Sequence, residues 1–187
     1  MTEKFSARTR ILHWANAILI FAALLVGFTM VNSVGSYAVL VGTHMTLGIT
    51  VLLVIAARIF NRFTAALPDW PPTVGKSEGK LIRYSELGMY ALILMQPLIG
   101  WLMVSASGRP PVVFGTWKLP RIAPFDADLF FVLRQAHSVG AYLLVAVIAG
   151  HVSMVLLHAV TLRDGMLTRM TLDITRSPTG DDGSHPG

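Results

Sequence analysis

The chain has 187 residues, 53% hydrophobic and 13% charged, a balance that excludes intrinsic disorder and argues against an ordinary water-soluble domain. Its 15 Lys and Arg outnumber 10 Asp and Glu, but the basic residues flank apolar runs and form no stripe interleaved with aromatics, so nucleic acid is excluded as a partner and the charge reads as membrane orientation. With no cysteine, disulfides, iron–sulfur clusters, zinc–thiolate sites and thioether-attached haem are excluded, and any metal must be held by His, Met or carboxylate.

No Asp, Glu, Lys or Arg occurs from Ile11 to Ala57, from Leu87 to Gly108 or from Gln135 to Leu162. The pattern predicts an all-α integral membrane protein with four spans, near 11–31, 37–60, 81–105 and 129–162, each able to cross a hydrocarbon core about 30 Å thick. The first run follows Lys4, Arg8 and Arg10 as a signal peptide would. It is too long and lacks a small-residue cleavage site, so it is expected to stay as a helix. Gly35 and Ser36 mark a short connection that makes spans one and two antiparallel neighbours. Pro68, Pro71 and Pro72 make the Asn61 to Lys80 connection a loop. A longer one, Gly108 to Asp128 with Pro110, Pro111, Pro120 and Pro124, can fold over one face of the bundle. The domain is expected over 1–171, and the polar, Gly/Pro-rich residues 172–187 are expected to be a disordered tail.

Five of the six histidines, His13, His44, His137, His151 and His158, fall in or at the edges of these spans, where an ionisable side chain marks a functional site by default. Each alone has a plain alternative: a neutral ring bonded to a neighbouring helix, or one at headgroup level. Their arrangement says more. On the fourth span the steps from His137 to His151 and on to His158 are 14 and 7 residues, which drift only about 40° and 20° around a helix and leave all three on one stripe. His137 and His151 then lie about 21 Å apart along the axis, one near each membrane surface. His13 opens the first span from the inside and His44 the second from the outside, so His13 matches His151 in depth and His44 matches His137. Two histidines at one depth on different helices are too few for closed zinc but suit the two axial positions of a haem iron, unattached and therefore b-type. The expected architecture is a four-helix bundle enclosing two b-type haems.

Gly27, 14 residues after His13, and Gly48, one turn below His44, can let a flat macrocycle approach the backbone, or can serve plain helix packing. Arg58, 14 residues after His44, is placed to neutralise a propionate at the inner level, or is simply an inside flanking charge. Met45 and Met154 read as apolar filler, and Trp14, Trp70, Trp101 and Trp117 as interfacial aromatics.

These residues resemble the bacterial cytochrome b561 family, which shares its layout with the cytochrome b subunits of nickel–iron hydrogenases. The resemblance rests on Arg10-Ile11-Leu12-His13-Trp14, His44, Pro97-Leu98-Ile99-Gly100, Gln135-Ala136-His137, Gly150-His151 and His158, and spans roughly Phe5 to Met170. It implies a multi-pass protein of the bacterial inner membrane that carries electrons through two b haems. For short stand-alone members it implies oxidation of superoxide at the outer face and reduction of ubiquinone. Where such a member carries two histidines three residues apart at the start of the third span, this chain has Arg83 and Glu86. Glu86, one turn inside the span, is placed to take up a proton; the alternative is an Arg83–Glu86 ion pair. His158 is the expected hydrogen-bond donor to a quinone carbonyl. Alternatives are an electron-transfer anchor for a hydrogenase or dehydrogenase complex, docking a redox partner protein, and a structural membrane protein whose histidines bridge helices.

Placing both termini in the cytoplasm puts Lys4, Arg8, Arg10, Arg58, Arg62, Lys76, Lys80, Arg83, Arg163, Arg169 and Arg176 inside and Arg109, Lys118, Arg121 and Arg134 outside, eleven against four. Reporter fusions at the C-terminus and within Gly108–Asp128 are expected to report opposite sides, cytoplasmic and periplasmic. An active phosphatase fused to the C-terminus would invert the assignment.

Overall fold

Helices account for all four apolar runs in the computed structural model, which describes residues 4–65, 75–162 and 167–171. They are α1 (Ala7–Met30), α2 (Tyr37–Thr64), α3 (Lys76–Ala106) and α4 (Ala127–Leu156). The prolines at 68, 71 and 72, Trp70, Arg163, and the tail from 172 with Arg176 and His185 lie outside the described residues.

Local chemistry sets the helix ends. Ser6 caps α1 by accepting a hydrogen bond from the Thr9 N–H at 3.3 Å, and Asp126 caps α4 by accepting from the Leu129 N–H at 2.9 Å. Asp128 adds negative charge to the first turn of α4, where the helix dipole favours it. Inside the spans, Thr43, Thr46 and Thr50 return their hydroxyls to carbonyls one turn back, at 2.9 to 3.0 Å. Hydrocarbon offers them no other acceptor. Pro97 lies within α3 and cannot donate to the turn before it, which a membrane bundle tolerates because neighbouring groups compensate.

The helices pack in sequence, α1 on α2, α2 on α3 and α3 on α4. Ring contacts link α1 with α4, Phe28 to Tyr142 at one level and His13 to His151 at another. Ile20, Val51, Ile55, Ile93 and Leu144 form a buried apolar layer to which every helix contributes. Ile20 lies seven residues after His13, Val51 seven after His44, and Leu144 seven from both His137 and His151. Seven residues advance about 10 Å along a helix, so this layer is a plug midway between two histidine levels. Between 11% and 17% of each span is buried in the protein. Ile18, Leu25, Leu53 and Val139 face outward, as required where the solvent is hydrocarbon.

Two features depart from the expected pattern. The Gly108–Asp126 segment carries a small antiparallel hairpin, β1 (Val112–Val113) with β2 (Trp117–Lys118), turned through Phe114 and Gly115 at positive φ. It is fastened to the helices by Phe114 N–H to Thr46 Oγ1 at 2.9 Å, Ile122 N–H to Ser105 Oγ at 3.2 Å and Trp101 Nε1–H to the Pro120 carbonyl at 2.9 Å. The expected single helix over 129–162 changes register as well, because the chain is π-helical from Leu157 to Leu162. A uniformly apolar run cannot distinguish i+4 from i+5 bonding, and such π segments often mark functional sites.

At the end opposite the hairpin, here called basal, a 3₁₀ turn at Leu167–Arg169 docks on the start of α1. The Phe5 N–H donates to the Arg169 carbonyl at 3.2 Å and Trp14 Nε1–H to the Met170 carbonyl at 2.9 Å. Arg10 reaches the Thr171 carbonyl, and the Arg169 guanidinium lies 5.5 Å over the Phe5 ring.

Candidate functional site

The four span histidines meet in two pairs. At the basal level the ring centroids of His13 and His151 are 6.4 Å apart with planes at 58°; at the hairpin level those of His44 and His137 are 6.0 Å apart at 89°. A ligating imidazole nitrogen lies about 2 Å from its metal, which puts two rings on opposite sides of one metal about 6 Å apart, centroid to centroid. Among the described residues no three His, Asp or Glu side chains converge. Each level therefore offers two imidazoles across a gap, the donor set of a haem iron with two protein axial ligands and not of a closed zinc site. One ring nitrogen at each level, His13 Nδ1 and His137 Nδ1, is buried without a hydrogen-bond partner among the described residues.

The hairpin-level rings are held from outside. His44 Nδ1–H donates to the Ala23 carbonyl of α1 at 3.0 Å, which leaves Nε2 as the nitrogen with a free lone pair. Gly27 lies against this ring: a Cβ there would stand 3.0 Å from His44 Cε1. On the opposite side a Cβ at Gly100 would stand 3.3 Å from His137 Cε1. Gln96 Nε2–H donates to the His137 carbonyl at 3.1 Å, and its amide lies against Gly140, where a Cβ would come within 2.8 Å of Gln96 Oε1. At the basal level, Trp14 stands edge-on to His13, centroids 5.7 Å apart, and is itself tied to Met170.

The remaining predicted residues are placed as follows. Gly27 makes room for the His44 ring. Gly48 faces α3, its nearest neighbour the Pro97 Cβ at 4.0 Å. Arg58 lies at the basal level, its Cζ 5.1 Å from the centroid of the Tyr90 ring. Glu86 pairs with Arg62 of α2, at 3.2 and 3.4 Å, and not with Arg83. His158 sits in the π-helical segment, 3% exposed, whereas His151 is exposed; the straight α-helical stripe does not extend to it. Gln96, Gly100, Gly140, Tyr90 and Asn16, the last 1% exposed and three residues from His13, are site residues without an assigned role in the sequence reading. Amides inside apolar spans were the available signal for Asn16 and Gln96.

A bundle of four membrane helices with two opposed histidine pairs has the makings of a membrane cytochrome b. The family model described as prokaryotic cytochrome b561 matches residues 4–172, and the chain belongs to that family. Cytochrome b561 homolog 2 of Escherichia coli (strain K12) is 26% identical over 172 residues, spanning 90% of this chain and 91% of that protein. The family binds haem b and transfers electrons in membranes. His44 and His137, and His13 with His151, are the residues fitted to hold it.

Gly27→Ala is expected to displace the His44 ring and to lower haem content by the hairpin-level share, and Gly100→Ala, with the looser contact, to do so less. Gly48→Ala, at ordinary contact distance, should leave haem content unchanged. Pyridine haemochrome analysis per polypeptide checks all three, with His44→Ala and His13→Ala marking the loss due to each level.

Proposed function

We propose that the protein is a di-haem b cytochrome of the bacterial inner membrane that passes electrons from superoxide at the periplasmic face to ubiquinone at the cytoplasmic face. The observation that carries this reading is the pair of opposed histidine sites at two depths, separated by the Ile20–Val51–Leu144 layer. When bound, the two haems supply one-electron transfer across that layer. His13 with His151 and His44 with His137 would hold a haem at each level with two protein ligands apiece, and a group so held would relay electrons rather than bind the donor.

The hairpin end has the charge for an anionic donor. Arg109, Lys118, Arg121 and Arg134 are exposed there, offset in part by Asp126 and Asp128, and an excess of positive charge raises the local concentration of anions. Two superoxide ions each give up one electron and leave as dioxygen; the quinone takes those two electrons and two protons to become the quinol. At the other end, His158 is the proposed hydrogen-bond donor to a quinone carbonyl, and Glu86, held by Arg62, a proton-handling group.

One observation favours a second reading, an electron-transfer anchor within a larger hydrogenase or dehydrogenase complex. The hairpin tip exposes Phe114 and Trp117, packed edge to face at 5.8 Å, as an apolar knob that a partner could cover. Purified protein given superoxide and a soluble ubiquinone analogue, with no partner present, is expected to form quinol. Failure to do so while retaining haem would favour the anchor. In the same assay His158→Ala should keep its haem and its reduction by superoxide but turn over quinone more slowly; an unchanged rate would move the quinone site toward Glu86.

A further inference from the structure

Two rungs join α2 to α3 near the basal level. Arg58 and Arg62 stand one turn apart on α2; Glu86 and Tyr90 stand one turn apart on α3. The helices run antiparallel, so Arg62 meets Glu86 in an ion pair and Arg58 meets the face of Tyr90 at 5.1 Å. The second rung is a cation on a ring, with no carboxylate in it. Tyr90 is itself fixed, packed against the apolar layer of Ile55 and Ile93, with its hydroxyl end beside Glu86.

This leaves Arg58 as a cation in a membrane span with a neutral seat and an incomplete set of bonds. Its Nε is buried with no hydrogen-bond partner among the described residues. A flanking arginine that only marks the inside face would snorkel to the headgroups. Arg58 is instead held against the Tyr90 ring with its Nε buried, at the basal level where His13 and His151 face each other. The forked donors of a guanidinium match a carboxylate, and a b haem carries two carboxylates as propionates.

We propose that Tyr90 is a positioning residue: its ring seats Arg58 so that the guanidinium faces a carboxylate of the group held between His13 and His151, and thereby raises the redox potential at that level. This rests on the haem-binding reading of the basal pair. The sign follows from charge: ferric haem carries one more positive charge than ferrous haem, so a fixed cation nearby favours the reduced form. Without the ring, Arg58 is free to swing toward the headgroups, where screening removes most of its effect.

The test is a spectroscopic redox titration of the full-length haem-loaded protein, with each level assigned from His13→Ala and His44→Ala. Tyr90→Phe keeps the ring and should titrate as wild type. Tyr90→Leu should lower the basal midpoint and leave the hairpin-level one unmoved, Arg58→Gln should lower it at least as far, and the double variant should match Arg58→Gln alone. Loss of the basal haem in Tyr90→Leu with its retention in Tyr90→Phe also supports the proposal, as the same seat failing outright. An unshifted midpoint in Tyr90→Leu, a shift that adds in full to that of Arg58→Gln, or loss of basal haem in both Tyr90 variants overturns it. Wild-type protein with no basal haem overturns the reading beneath it, and haem content measured before titration tells that failure apart.

Discussion

Every polar group that enters the apolar layer must find its partner inside the bundle, because hydrocarbon supplies none. That constraint organises this molecule. The threonines of α2 bond back to their own helix, Asn61 donates to Thr9 Oγ1 across to α1 at 2.9 Å, and Gln96 reaches the backbone of α4. The histidines follow the same rule only in part: His44 satisfies one ring nitrogen on Ala23, while a ring nitrogen on His13 and another on His137 have no partner among the described residues. Asn16 Oδ1 and Arg58 Nε are likewise buried with no partner among the described residues, so open hydrogen-bonding capacity is gathered at and around the histidine levels.

Spacing turns that rule into a layout. Seven residues, two helical turns, separate the apolar layer from histidines on α1, α2 and α4, so one side-chain register delivers histidines to both levels and packing to the middle. The glycines refine it. Gly27 and Gly100 back the His44 and His137 rings from opposite sides, and Gly140 admits Gln96, so on the hairpin side ring position is set by backbone, which moves less than side chains do.

The helices and the pairing depths of the histidines were legible in the sequence because both rest on long-range periodicity: charge-free runs of membrane length, and 14-residue steps that return to one helix face. What escaped depends on local geometry that apolar composition does not encode. Phe114 and Gly115 reverse the chain into a hairpin with no strong strand signal around them, and the π-helical segment at Leu157 leaves the hydrophobic pattern unchanged. Gly27 was legible as a small residue at the right depth but not as the seat of the His44 ring, since that requires knowing which helices adjoin. Arg62 was the hidden partner of Glu86 for the same reason: an ion pair across α2 and α3 competes with the i, i+3 pair on α3 only once the two helices are side by side.

Both histidine pairs draw one ring from α4, the fourth span in chain order, and the other from α1 or α2. A nascent chain that has inserted three helices therefore holds half of each site and the whole of neither. The 3₁₀ turn that fastens Trp14 and Phe5 follows later still. Biogenesis inherits an order from this topology: neither histidine pair can close until α4 has joined the bundle, and a chain truncated before α4 lacks one ring of each pair.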